Sequence, residues 1–168
     1  ISTDMQKPYN IYGGLQDNGS WRGSSKLNNT DGDIMGLGGN NAWQFLTGGD
    51  GFYVQVDPQD PEVFYSEFQW GGLMRTDHGG EKYIQPAPKD TNETYRFNWN
   101  SPILLSQYNR TTLYFGGNKL HQSLDRGDTW REISPDLTSR DSLRNGDVTF
   151  GTITSISESP FNPQIIYV

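Results

Sequence analysis

No cysteine occurs in this chain, which excludes disulfide staples, thiolate metal sites and a cysteine nucleophile. Histidine is almost as scarce. His78 and His121 stand alone, without the spaced partners that a zinc site or a Ser–His triad requires. Cations are outnumbered, with 13 Lys and Arg against 20 Asp and Glu and a formal net charge of −7. That balance argues against a phosphate-binding surface, and so against nucleic acid as a partner. No run approaches the roughly 18 consecutive apolar residues of a membrane helix. Ile1-Ser2-Thr3 shows neither an initiator Met nor a signal peptide, so the expectation is that processing or fragmentation has removed something.

What the chain does contain points to β structure. Its 168 residues suggest one domain. Only 32% are hydrophobic, yet 13% are aromatic, with 20 Gly and 9 Pro. Many short strands joined by Gly/Pro turns produce such a mixture, and the wealth of Trp, Tyr and Phe speaks against disorder. Four N-x-S/T sequons, at Asn18, Asn28, Asn92 and Asn109, are what chance supplies in a Ser/Thr/Asn-rich chain.

The chain also repeats itself. Tyr12, Tyr65, Tyr114 and Tyr167 sit in similar apolar contexts at spacings of 53, 49 and 53 residues. Asp57-Pro58-Gln59-Asp60-Pro61 precedes the second and recurs as Ser159-Pro160-Phe161-Asn162-Pro163 before the fourth. A further marker follows each tyrosine: Asp17-Asn18-Gly19, then Asp77-His78-Gly79, then Ser123-Leu124-Asp125-Arg126-Gly127-Asp128-Thr129-Trp130. The last has the form S-x-D-x-G-x-T-W, the Asp-box. In this β-hairpin turn the carboxylate of Asp125 takes backbone N–H groups, Gly127 tolerates φ > 0, and Thr129 and Trp130 restart a strand. Ser123, Asp125, Gly127, Thr129 and Trp130, with Asp77 and Gly79 in the second unit, are thus expected to be structural.

Four antiparallel strands per unit of about 50 residues is the signature of a β-propeller blade. The expected fold is all-β, an incomplete propeller of about three blade-equivalents: 1–50 a partial blade and long loop, 51–100 and 101–148 blades, 149–168 a partial blade. First strands are expected at 51–57, 101–107 and 149–158, and second strands at 9–13, 62–68, 111–116 and 164–168. Third strands are expected at 14–17, 72–76 and 119–124, and fourth strands at 20–24, 82–85 and 129–134. The chain would then start and stop inside a blade. The remainder of the ring is expected in the same chain, of which this is a piece, or in another chain.

Pro8-Tyr9-Asn10-Ile11-Tyr12-Gly13-Gly14-Leu15-Gln16-Asp17-Asn18-Gly19-Ser20-Trp21, Gly48-Gly49-Asp50-Gly51-Phe52, Arg96-Phe97-Asn98-Trp99-Asn100 and Ser123 through Leu137 resemble the sortilin-like, Asp-box (BNR-repeat) propeller proteins of bacteria. Many of these carry glycosyl hydrolase or sortilin-related labels by similarity. The resemblance implies an exported location: periplasm, cell surface or extracellular space.

Blade topology puts first-to-second and third-to-fourth turns on one face, and the remaining connections on the other. The long connections expected at 25–50, 86–100 and 135–148 make that second face the place for a ligand. It would gather Gln16, Trp43, Asp50, Trp70, Arg96, Asn98, Trp99 and Asn100. Aromatic faces stack on sugar C–H surfaces while amides and acids read hydroxyls; the same residues could instead fill gaps between blades and cap turns. Asp17 and Asp50 are the best candidates for a glycosidase acid pair, although Asp17 also suits a degenerate Asp-box. Asn29-Thr30-Asp31-Gly32-Asp33 resembles the start of a calcium loop but lacks the distal Glu, and a solvated loop without metal is expected. Ser134-Pro135-Asp136-Leu137-Thr138 reads as a strand exit. The leading expectation is a cofactor-free binding or scaffold module for a glycan or protein. A glycoside hydrolase and a structural subunit of a larger assembly are the alternatives.

Overall fold

The computed structural model describes residues 1–26, 43–144 and 149–168; the expected sequon at Asn28 and the 29–33 loop lie outside them. The chain is all-β. β1 (Ser2–Thr3), β2 (Asn10–Leu15), β3 (Gly19–Ser24) and β4 (Trp43–Thr47) form a first antiparallel sheet. A second consists of β5 (Gly51–Asp57), β6 (Asp60–Phe68), β7 (Gly72–Asp77) and β8 (Gly80–Tyr83). A third holds β9 (Ile103–Leu105), β10 (Leu113–Gly116), β11 (Leu120–Ser123) and β12 (Arg131–Glu132), and β13 (Ser157–Glu158) pairs with β14 (Ile166–Tyr167) in a fourth. In each sheet the strands lie side by side in chain order. No helix among the described residues is long and apolar enough to cross a membrane.

The sheets are held face to face by side chains that alternate along each strand. Phe64 of β6 points to the first sheet, where it joins Tyr12, Leu46, Val54 and Val56. Its neighbours Val63 and Tyr65 point the other way, packing with Leu73, Ile84, Ile103, Leu113 and Phe115 between the second and third sheets. Tyr114, Leu120 and Ile153 cover the far side of the third sheet, with Ile156 and Ile166 against them. Burial on both faces is why residues 63–65 read as an unbroken apolar run.

The repeating tyrosines mark one recurrent position, the second strand of each sheet. Tyr12, Tyr65 and Tyr114 are buried there, whereas Tyr167 is exposed. Tyr12 donates its hydroxyl to Asp4 Oδ2 at 3.1 Å, and Tyr114 reaches Glu158 Oε1 at 3.5 Å. Burial, with the Asp4 charge beside it, pushes the Tyr12 phenol up to about 12, so it stays a neutral donor.

The Asp-box forms the β11–β12 turn. Asp125 Oδ1 accepts the Ser123 hydroxyl at 2.7 Å and the Thr129 N–H at 2.8 Å, and its Oδ2 takes the Thr129 hydroxyl at 2.6 Å. Burial raises the Asp125 carboxyl, but these bonds outweigh it and the group titrates below the usual range. Arg126 and Gly127 adopt φ of 61° and 89°, and Trp130 swings back to donate Nε1–H to Ile84 O at 2.7 Å. Asp125→Ala removes the acceptor of three donors of the turn and is expected to cost about 1–2 kcal/mol, read as a lower urea midpoint at unchanged slope. The β7–β8 turn keeps only the kernel: Gly79 N–H donates to Asp77 Oδ1 at 2.7 Å. Arg75 links the two turns, pairing with Asp77 at 2.8 Å and with Asp128 at 2.9 Å. This end of the sheets is an ionic seam, completed by Asp57 between Arg110 and Arg126 at 3.6 Å each.

Strand order in the first sheet differs from expectation. Residues 14–17 are not a third strand, because β2 runs on to Leu15; residues 20–24 are the third strand, and Trp43–Thr47 is the fourth. Ser2–Thr3 supplies the first strand, so this sheet is complete. Gly14, inside β2, is a packing site: a Cβ there would lie 2.2 Å from the Gly51 carbonyl carbon. Two sheets approach through bare backbone there. Asp17 therefore occupies a second-to-third-strand turn, not a counterpart of Asp77 and Asp125.

Candidate functional site

The end opposite the ionic seam carries the β2–β3, β6–β7 and β10–β11 turns and the connecting stretches 84–102, 133–144 and 149–156. Backbone and amide bonds stitch these segments together. Asp17 N–H donates to Asp50 Oδ1 at 2.7 Å, and Asp50 N–H to Gln69 Oε1 at 2.7 Å. Trp70 N–H reaches Trp99 O at 3.2 Å, while Asn118 bonds both ways with the Arg96 backbone at 2.9 Å.

Trp70 is the residue this end displays. Its backbone is left-handed, φ 65° and ψ 30°, in a single 3-10 turn over Gln69–Gly71. A bulky side chain disfavours that region by about 1–2 kcal/mol. The conformation is held from three sides. Gln85 donates Nε2–H to the Trp70 carbonyl at 3.0 Å, Trp99 stacks edge-on at 4.7 Å, and Gly71, at φ 71°, lies where a Cβ would meet the Phe97 ring at 2.6 Å. The residue nonetheless stays 40% exposed.

Beside it opens a cleft of about 540 Å³, walled by Trp70, Gln85, Pro86, Tyr95, Arg96 and Phe97. A second cleft of about 540 Å³, lined by Asn98, Thr138, Thr149 and Thr152 among others, continues from the first through Thr149, which borders both. Tyr95 and Phe97 are braced from beneath by His121, whose ring lies 4.5 Å and 6.0 Å from theirs. His121 is buried, and burial lowers its pKa to about 4, leaving a neutral packing group. Exposed His78 pairs with Asp60 at 2.8 Å on the seam end.

Of the residues expected at a ligand site, Gln16, Asp50, Trp70, Arg96, Asn98, Trp99 and Asn100 all reach this end. Trp43 does not. It opens β4 at the opposite end, paired with Gly23 and packed over it, because the first-sheet register is shifted by one strand. Arg96 is a tie, not a reader: its Nη2 donates to Asp136 Oδ2 at 3.0 Å, Thr138 Oγ1 at 2.8 Å and Gly151 O at 3.3 Å. Asn98 Nδ2–H donates to Thr152 Oγ1 at 2.9 Å. Asp50 is 9% exposed and holds the amide of Asp17, so these two residues meet as carboxylate and backbone, not as facing acids. Among the described residues no three His, Asp or Glu side chains gather as metal ligands.

Sequence reasoning missed Gln69, Gln85, Tyr95 and Thr149. Their positions in the same connections as Trp70 and Trp99 were the available signal. Glu67 was missed too. It lies fully buried under this end, with Oε1 accepting Ser101 N–H at 2.9 Å and Oε2 unbonded. Burial pushes its carboxyl up to about 8, only partly offset by the Ser101 and Tyr53 amides. It is a neutral acid at pH 7, anchoring the base of the connection that carries Trp99.

No family model, curated protein or solved structure matches this chain.

Proposed function

We propose that this chain is part of an exported β-propeller whose loop-rich end binds a glycan. Three successive four-stranded sheets stacked face to face, with an Asp-box closing the third, support the propeller reading. A ring takes about 4–8 such blades, so further blades from the same polypeptide or another chain complete it. The observation that carries the binding role is Trp70, a strained, left-handed tryptophan whose indole is presented to solvent at the mouth of a cleft. Strain of this kind persists where the surroundings over-determine it, and it concentrates at ligand sites. An exposed indole beside amides and hydroxyls suits the apolar face and hydroxyl rim of a sugar.

Trp70→Gly separates binding from packing. Glycine accepts φ 65° without strain, so relief of about 1–2 kcal/mol offsets the lost Trp99 contact of about 0.5–1.5 kcal/mol. The variant is expected to keep the melting temperature within a few degrees while losing at least tenfold in affinity for the oligosaccharide that the full chain binds in an array screen. A screen with no binder, or a Trp70→Gly variant that binds as tightly, sinks the reading.

A further inference from the structure

The two halves of the groove differ in chemistry. The Trp70 half is aromatic and contains Glu93 as well as Arg96. The other half is walled by Asn98, Thr138, Thr149 and Thr152; among the described residues its lining has no acidic side chain and one cationic side chain, Arg144. The Arg144 guanidinium carbon lies 4.4 Å from the centre of the Phe150 ring. Stacking on an aromatic ring limits the planar fork's freedom and leaves its N–H edge available for in-plane bonding.

The other described arginines are engaged. Arg22, Arg75, Arg96, Arg110, Arg126 and Arg140 meet carboxylates, and Arg131 bonds Gln122. Among the described arginines, Arg144 alone faces neither a carboxylate nor a side-chain amide that a described residue supplies. In a chain with net charge −7, an arginine that meets no carboxylate among the described residues, in a cleft whose described lining carries hydroxyls and no acid, is set to receive an anion. Hydroxyls and an amide around it are the donors that would read the adjoining sugar hydroxyls.

We infer that the glycan is acidic: a sugar carrying a carboxylate or a sulfate ester, whose charged group pairs with Arg144 while a neighbouring ring lies toward Trp70. This rests on the glycan reading above. A guanidinium–carboxylate or guanidinium–sulfate pair is charge-assisted and bidentate, stronger than the neutral hydrogen bonds it replaces.

The experiment is calorimetric titration of the full chain with matched oligosaccharide pairs. One pair is galacturonate oligomers and their carboxyl-reduced forms; the other is sulfated galactan oligomers and their desulfated forms. In at least one pair the charged member is expected to bind about tenfold more tightly, the preferred pair identifying the anion. Arg144→Gln should erase that preference and leave the neutral member's affinity unchanged, whereas Trp70→Gly weakens both members. Equal affinity within both pairs, or a preference that survives Arg144→Gln, overturns the acidic ligand while leaving glycan binding intact. Failure of every oligosaccharide to bind overturns both readings together.

Discussion

Glu67→Gln is expected to make the protein more stable at pH 8 and to leave it nearly unchanged at pH 4. The buried carboxyl is held up to about 8 against an ordinary 4.5. Below pH 4.5 the group is protonated in both folded and unfolded chains, so its environment is stabilising there. Between pH 4.5 and about 8 the unfolded chain releases a proton that the folded chain retains, and stability falls as pH rises. The accumulated loss by pH 8 is on the order of 3–5 kcal/mol. Glutamine keeps an oxygen for the Ser101 and Tyr53 amides and has no proton to lose. Urea unfolding of both proteins at pH 4, 6 and 8 should therefore give curves that diverge upward with pH. Parallel pH dependences would show that Glu67 ionises freely in the fold. His121 acts with the opposite sign: its pKa of about 4 makes stability fall as pH drops through 6.5, and this cancels in the comparison because both proteins carry it.

Arg96→Ala is expected to destabilise the fold by about 2–4 kcal/mol, although the sequence placed this residue among the ligand readers. Arg96 joins the connection before the third sheet to the one after it, and its partner Asp136 has a side chain only 5% exposed. Burial raises the Asp136 carboxyl, but bonds from Thr138, Asn118 and Arg96 outweigh it and hold the group far below the usual carboxylate range. Removing the guanidinium leaves a buried charge short of a partner. The double variant Arg96→Ala/Asp136→Asn should recover part of the loss, since the unpaired charge goes with it. A single variant within about 0.5 kcal/mol of the parent, the usual range for surface changes, would return Arg96 to the ligand-facing set.

Much of this architecture was legible in the residues. The Asp-box spells its own hydrogen bonds, because Ser, Asp, Gly and Thr at those spacings satisfy one another within eight positions. The tyrosine period located the second strand of all four sheets, because the same strand recurs in each unit and in the first three its ring is buried against the next sheet. Strands in the second sheet fell close to where the repeat put them. The first sheet misled, because Gly13-Gly14 has the composition of a turn and the conformation of a strand. Only the neighbouring sheet, pressed against Gly14 at Gly51, distinguishes the two.

At the loop-rich end, local pattern placed the connections after the second and third sheets on one side of the scaffold, but the expected connection at 25–50 contains β4 (Trp43–Thr47) instead. Which side chains face solvent there is a tertiary outcome. Trp70 is presented because Gln85, Trp99 and Phe97, from 15 to 29 positions away, hold its backbone in a conformation it would not adopt alone. Arg96 is withdrawn because Asp136, 40 residues later, arrives beside it. Glu67 stays protonated because two sheets close over it. Short-range chemistry dictates turns and strand periods through bonds made within a few residues. Exposure, strain and charge state depend on what packs against a residue from elsewhere in the chain, and those were decided by the fold.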